Sequence, residues 1–195
     1  MQISTERIQG GRAFPSVAAL LAERADVTGR LDPLAVLTLA DADVSVWIMR
    51  LEDGQESLRA ARAILSPSER VRCDRVIDPL RRGRLVLARA SLRVILAQEL
   101  NVTVGEVRIH RSNAGRPALD GEDVPSFSLS HTGEWAAVAV SSLARVGIDI
   151  EGAGRPISLT LIDRLLTPAE ASSSARESPL SRRRAFLAHW TAKEA

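Results

Sequence analysis

Apolar and polar positions alternate with period two at Val44–Met49 and at Val146-Gly147-Ile148-Asp149-Ile150-Glu151, and this spacing predicts a strand at each. Ser126–Ser130 and Trp135–Val140 read as two further strands joined around His131-Thr132-Gly133-Glu134, and Val107–His110 as a short one. Helical patterning covers Glu56–Leu65. Ser66-Pro67-Ser68-Glu69 is a capping box, with Ser at the N-cap, Pro at the first position and Glu at the third. Asp78-Pro79 opens a long helix that turns Leu80, Leu87, Ile95 and Leu96 towards the core and ends near Asn101. Thr167-Pro168-Ala169-Glu170 is a second capping box, Ser172–Pro179 a polar loop, and a last helix carries Phe186, Leu187 and Trp190. Asp53-Gly54 and Asn113-Ala114-Gly115-Arg116-Pro117 are turn and loop signals. Residues 1–40 are weakly patterned, with one short helix predicted at Val17–Arg24 and a loop at Gly29–Pro33, and read as an extension.

The pattern repeats. Val44–Met49 parallels Val146–Glu151, the first capping box parallels the second, and Arg82, Arg84, Leu87, Ala88 and Arg93 parallel Arg182, Arg184, Leu187, Ala188 and Lys193, at offsets of 102, 101 and 100 by subtraction of residue numbers. Three matches in one order predict a duplicated strand–helix–helix unit; shared Arg- and Ala-rich composition is the competing explanation. The expected fold is α+β, two similar α/β subdomains related by a pseudo-twofold with a cleft between them. They span residues 41–143 and 144–195, the second continuing past Ala195, where the helix has no cap.

Composition narrows the class. The chain has 195 residues, 45% hydrophobic but 3% aromatic, so aliphatic side chains build the core. Cys73 stands alone, which excludes an intrachain disulfide and fits a reducing cytoplasm. Val17–Ala22 is too short for a signal or membrane span. The formal net charge of +2 hides twenty-five Arg against one Lys, Lys193. The arginines suit phosphates or an acidic partner, and a lone Lys suggests a position that needs a compact ammonium.

The candidate chemistry lies in the Val146–Glu151 strand. Alternation sets Asp149 and Glu151 on one face, roughly 7 Å apart. Such a pair either shows its charge to water or holds a hard divalent cation, which takes one or two carboxylates with water and phosphate oxygens. Trp47 and Met49 occupy the equivalent positions of the first copy, and that asymmetry favours a site. On the last helix Trp190 and Glu194 lie one turn apart beside Lys193: an ordinary polar helix end, or a third carboxylate for the same ion.

Val146–Glu151 (VGIDIE), followed by Trp190-Thr191-Ala192-Lys193-Glu194-Ala195, resembles the 4′-phosphopantetheinyl transferases, of the monomeric two-halved type that primes nonribosomal peptide and polyketide synthases. Gly115-Arg116-Pro117 resembles the family's G-[KR]-P loop, Phe127–Thr132 its F-x-x-S-H-[ST] segment, and Thr167–Glu170 its short F-[ST]-x-x-E-like stretch. The resemblance runs from about Val44 to Ala195. It implies Mg²⁺ (or Mn²⁺) on Asp149, Glu151 and Glu194. Coenzyme A would be the substrate, its phosphates held by Arg84, Arg116 and His131 with Gly115, Pro117 and Ser130 in the same loops. Lys193 would sit beside the pyrophosphate or pair with a carboxylate, and Glu170 would help position or deprotonate the attacking serine. The partners implied are acyl or peptidyl carrier proteins, with no nucleic acid and no membrane, in a cytoplasmic monomer. In the family a second lysine follows one turn after the W-x-x-K-E motif, at a position that falls beyond Ala195.

Taken singly, each of these residues has a structural reading. His131 fits a turn, Arg116 a solvated loop, Arg84 a basic helix face beside Arg81, Arg82 and Arg89, and Glu170 its capping box. Two other functions compete: a scaffold of the same fold that binds coenzyme A or a carrier protein without turnover, and a nucleic-acid module, which near-neutral charge and few aromatics disfavour.

Overall fold

In the computed structural model, which describes residues 35–39, 42–51, 54–112, 115–152, 157–158, 162, 165, 167 and 178–195, sheet and helix are mixed. The elements in chain order are β1 (Ala35–Leu39), β2 (Ala42–Arg50), α1 (Gln55–Ile64), α2 (Pro67–Asp74), α3 (Pro79–Glu99), β3 (Ile109–Arg111), β4 (Pro117–Leu119), β5 (Ser126–Thr132), β6 (Trp135–Ser141) and α4 (Pro179–Glu194). β1 arises inside the weakly patterned extension, where the sequence pattern predicts no strand; its ladder to β2 orders it.

Four antiparallel strands form one sheet in the order β1-β2-β6-β5, and β3 and β4 form a separate ribbon. Gly133, at φ 53, turns the chain tightly between β5 and β6, so that Thr132 pairs with Trp135. The register divides the sheet into two faces. Trp47 and Met49 of β2, Ala136, Val138 and Val140 of β6 and Phe127 of β5 join Val86, Leu87, Ile95 and Leu96 of α3 in the main core. The opposite face carries Val44, Val46, Ala139 and the hydroxyl residues of β5, and it receives Val146 and Ile148.

The helices obey their caps. The Ser66 side chain accepts from the Glu69 N–H, and the Glu69 carboxylate accepts from the Ser66 N–H at 2.9 Å. Asp78 caps α3 at the Arg81 N–H, 2.7 Å away. The buried Arg93 donates to Glu69 at 3.0 Å and to the Val104 and Val107 carbonyls at 3.1 and 2.8 Å. One guanidinium thus ties α3 to α2 and to the chain that leads into β3. Leu80 departs from expectation at 61% exposed, because α3 begins a full turn before it reaches the sheet and its buried run starts at Val86. Pro117 starts β4 where the pattern predicts loop.

The predicted strand at Val146–Glu151 is not one: the segment has no ladder. It runs parallel to β5, with Val146 N–H donating to Ser126 Oγ at 3.2 Å and Ile150 N–H to Ser130 Oγ at 3.3 Å. Serine hydroxyls replace the partner carbonyls. A side chain between two main chains holds them farther apart than the ~4.8 Å spacing of a sheet. The first copy, β2, is an inner strand paired on both sides, so the repeated segments adopt different structures.

Candidate functional site

β5 builds the site because its successive side chains point to opposite faces. On the face away from α3, Ser130 Oγ donates to Asp149 Oδ1 at 2.6 Å and Thr132 Oγ1 donates to Glu151 Oε2 at 3.1 Å. Both carboxylates are half-buried. The Ser130 hydroxyl, which also accepts from Ile150, has its only proton committed to Asp149. The two expected acids therefore stand beside each other, oriented by neutral donors.

His131 faces the α3 side, in register with Ala136. Desolvation holds its pKa below the ordinary 6.5, and the Arg89 guanidinium adds to the shift. The ring still reaches solvent along the edge of the sheet. Arg89 is well covered and stands 3.9 Å from Glu69. The Arg72 guanidinium is also less basic than usual, through desolvation and then the charges of Arg111, Arg89 and Arg75. A row of cations thus extends from α2 across α3 to β3. Arg72, Arg89 and Arg111 were missed in the sequence because scattered arginines reveal no shared face until the helices pack. Arg84 lies on α3 with its Nε buried and, among the described residues, without a hydrogen-bond partner.

The Gly115-Arg116-Pro117 loop tops the β3–β4 ribbon. Gly115 takes φ 77, which favours glycine, and its N–H bonds the Ser112 carbonyl at 2.8 Å. Arg116 is exposed; its carbonyl accepts from Ser112 N–H at 2.8 Å. Arg111 donates to the Gly115 carbonyl.

α4 is capped by Ser178 and held by Phe186 stacked on Trp190 at 5.8 Å; Phe186 and Leu187 are buried with Ile157 and Ile162. Its end meets the acid segment: a Cβ on Gly147 would overlap the Ala195 carbonyl. Lys193 and Glu194 are exposed there. Among the described residues no three His, Cys, Asp or Glu side chains stand close enough to share a metal ion, so Glu194 is not joined to the other two acids. Bringing a third carboxylate against the pair is opposed by repulsion that a cation would offset. The donor set fits a hard cation: two juxtaposed carboxylates are what Mg²⁺ usually takes from a protein. Asn113, Ala114, Asp53, Pro168, Ala169 and Glu170 lie outside the described residues, as do the second capping box beyond Thr167, most of the polar loop, the helix predicted at Val17–Arg24 and the loop at Gly29–Pro33.

The chain that carries this geometry matches a known protein family. The model of the 4′-phosphopantetheinyl transferase superfamily matches residues 145–195, and that of the 4′-phosphopantetheinyl transferase N-terminal region matches residues 52–143. The chain belongs to the 4′-phosphopantetheinyl transferase family. It is 32% identical over 164 residues to the 4′-phosphopantetheinyl transferase HetI of Nostoc sp., covering 82% of this chain and 69% of that one. It is 26% identical over 156 residues to the 4′-phosphopantetheinyl transferase psf-1 of Bacillus pumilus, covering 77% and 65%. Against the phosphopantetheinyl transferase of Thraustochytrium sp. it is 28% identical over 173 residues, covering 79% and 59%. The matches thus span between 59% and 69% of those relatives' lengths. No described helix is long and apolar enough to cross a membrane.

Proposed function

We propose that this chain transfers the 4′-phosphopantetheine group of coenzyme A to a serine of an acyl or peptidyl carrier protein, with Mg²⁺ (or Mn²⁺), and releases 3′,5′-ADP. The observation that carries the reading is the hydroxyl-held pair Asp149 and Glu151, on a segment met by the end of α4. Family membership supports the reaction class.

The serine oxygen attacks the β-phosphorus of coenzyme A. A new oxygen–phosphorus bond forms, the bridging phosphorus–oxygen bond breaks, and the electron pair leaves with 3′,5′-ADP. The serine proton passes to Glu170 or to water. Negative charge grows on the bridging oxygen, and positive groups fixed in place stabilise it. Asp149, Glu151 and Glu194 would hold the metal, which when bound neutralises charge on the pyrophosphate. Arg84, Arg116 and His131 would anchor the phosphates, with Arg89 adding field from α3 and Lys193 beside the pyrophosphate or paired with a carboxylate. A diphosphate laid across β5 would meet both faces, since Ser130 and His131 are consecutive. The working unit in this reading is a cytoplasmic monomer of two related halves, 41–143 and 144–195, with the site in the cleft between them.

Mass spectrometry of an apo carrier domain incubated with the chain, coenzyme A and Mg²⁺ tests the proposal. The carrier should gain one phosphopantetheine unit, and chelation should abolish the gain. A carrier that stays unmodified while coenzyme A binds would replace transfer with a scaffold role.

A further inference from the structure

We infer that Ser130 and Thr132 are positioning residues for the metal carboxylates, and that the hydroxyl face of β5 tunes cation affinity. The inference rests on the metal reading above and goes beyond it in assigning Thr132 a role and in moving Ser130 from substrate to carboxylate.

Three geometric facts carry it. Each acid has its own hydroxyl: Ser130 on Asp149 at 2.6 Å, Thr132 on Glu151 at 3.1 Å. The two hydroxyls stand at i and i+2 on one face of a strand locked to β6 by the pairs Ser130↔Ala137 and Thr132↔Trp135. The acid segment has no ladder of its own, and its Val146 and Ile150 N–H groups donate to Ser126 and Ser130. The acids therefore take their register from β5 side chains rather than from a sheet.

The chemistry fits the task. A carboxylate in free rotation loses rotamer entropy when it ligates an ion, and a donor that already fixes one oxygen removes part of that loss. A hydroxyl donor orients the carboxylate without adding charge, unlike Arg or Lys, which would compete with the cation. The bonds engage Oδ1 of Asp149 and Oε2 of Glu151, one oxygen of each carboxylate.

Mn²⁺ binding to the full chain, measured by titration calorimetry and by the loss of the free-ion paramagnetic resonance signal, with coenzyme A present, tests this. Thr132→Val keeps the branched shape and removes the donor; affinity should fall about tenfold or more, as for other partners of ligating groups. Thr132→Ser should restore it, and Ser130→Ala should weaken it comparably. A merely structural role would lower the melting temperature of Thr132→Val without changing its Mn²⁺ affinity, and that result overturns the inference. Should Ser130→Ala fail to fold, Thr132→Val with its Ser rescue decides alone. Asp149→Ala separates the two readings. If it abolishes binding while the hydroxyl variants match the parent, the metal reading stands and the positioning role falls. If Asp149→Ala or the parent shows that these acids bind no Mn²⁺, both fall.

Discussion

The two faces of the β2–β6–β5 sheet do opposite work with alternate residues of the same strands. Towards α3, Trp47, Met49, Val138 and Val140 are sealed into the main core, and the only polar group that β5 sends that way, His131, emerges at the rim beside Arg89. Towards the acid segment, β5 presents Ser126, Ser128, Ser130 and Thr132, and β6 presents Ala137 and Ala139 between Trp135 and Ser141. One face is a packed, cation-edged wall; the other is a shallow hydroxyl surface that receives two carboxylates. The difference teaches how a strand with period-two side chains can send a cationic rim and a pair of carboxylates to opposite faces. Arg89 lies towards α3 and the Asp149 and Glu151 carboxylates on the opposite face of β5. Had Arg89 and Asp149 shared a face, an ion pair would form in place of a site.

The comparison breaks most visibly on the acid face. Asp149→Ala should lower carrier modification by about 10³-fold, the scale of a lost electrostatic stabiliser, while circular dichroism stays near the parent's and stability by urea denaturation falls only by the lost Ser130 bond, about 1 kcal/mol. Near-parental rates in this variant would remove the metal from these acids. On the core face the signature inverts. Ile95→Ala empties a fully buried site and should cost about 2–5 kcal/mol of stability by urea denaturation, while Mn²⁺ affinity of the folded fraction is unchanged. Gly147→Ala lies between them. Its Cβ cannot coexist with the Ala195 carbonyl, so the end of α4 must shift, at about 1–3 kcal/mol by analogy with overpacking. Transfer should drop more than stability, because Glu194 sits on the turn that moves. A variant with parental transfer would detach α4 from the site.

Much of this division was legible in the chain. The capping box at Ser66, the N-cap and Pro at Asp78-Pro79, and the β5–β6 hairpin all follow local rules, and the structure obeys them. Asp149 and Glu151 were legible as a pair because alternation survives without a ladder. Their strand was not, because whether a period-two segment joins a sheet depends on what the neighbouring strand offers, and β5 offers hydroxyls. Leu80 followed the helical period but not the helix's overhang. Arg93 looked like one more basic residue; its burial depends on Glu69, 24 positions away, and on two carbonyls beyond the helix. Thr132 was legible only as the last position of the F-x-x-S-H-[ST] resemblance; its partner Glu151, 19 positions away, was not, since a threonine beside a turn glycine shows no contact until the chain folds.

The rim of the core face gives the smallest and most specific effect. Desolvation and Arg89 disfavour protonation of His131 in the folded chain, so the unfolded chain binds its proton first as the pH falls below 6.5. In that window the unfolded state holds more protons, and stability rises with pH. His131→Gln should therefore flatten the pH dependence of the urea midpoint between about pH 5 and 7, by an amount small beside the Ile95→Ala effect. An anionic phosphate beside the ring reverses the balance and draws the proton on. Coenzyme A binding near pH 7 should then take up as much as about one proton, seen as buffer-dependent heat in titration calorimetry, and weaken as the pH rises towards 8. His131→Gln should abolish both the uptake and the pH dependence. If the parent takes up no proton, the phosphate is not at His131, and the cation row from Arg72 to Arg111 must seat it farther from β5.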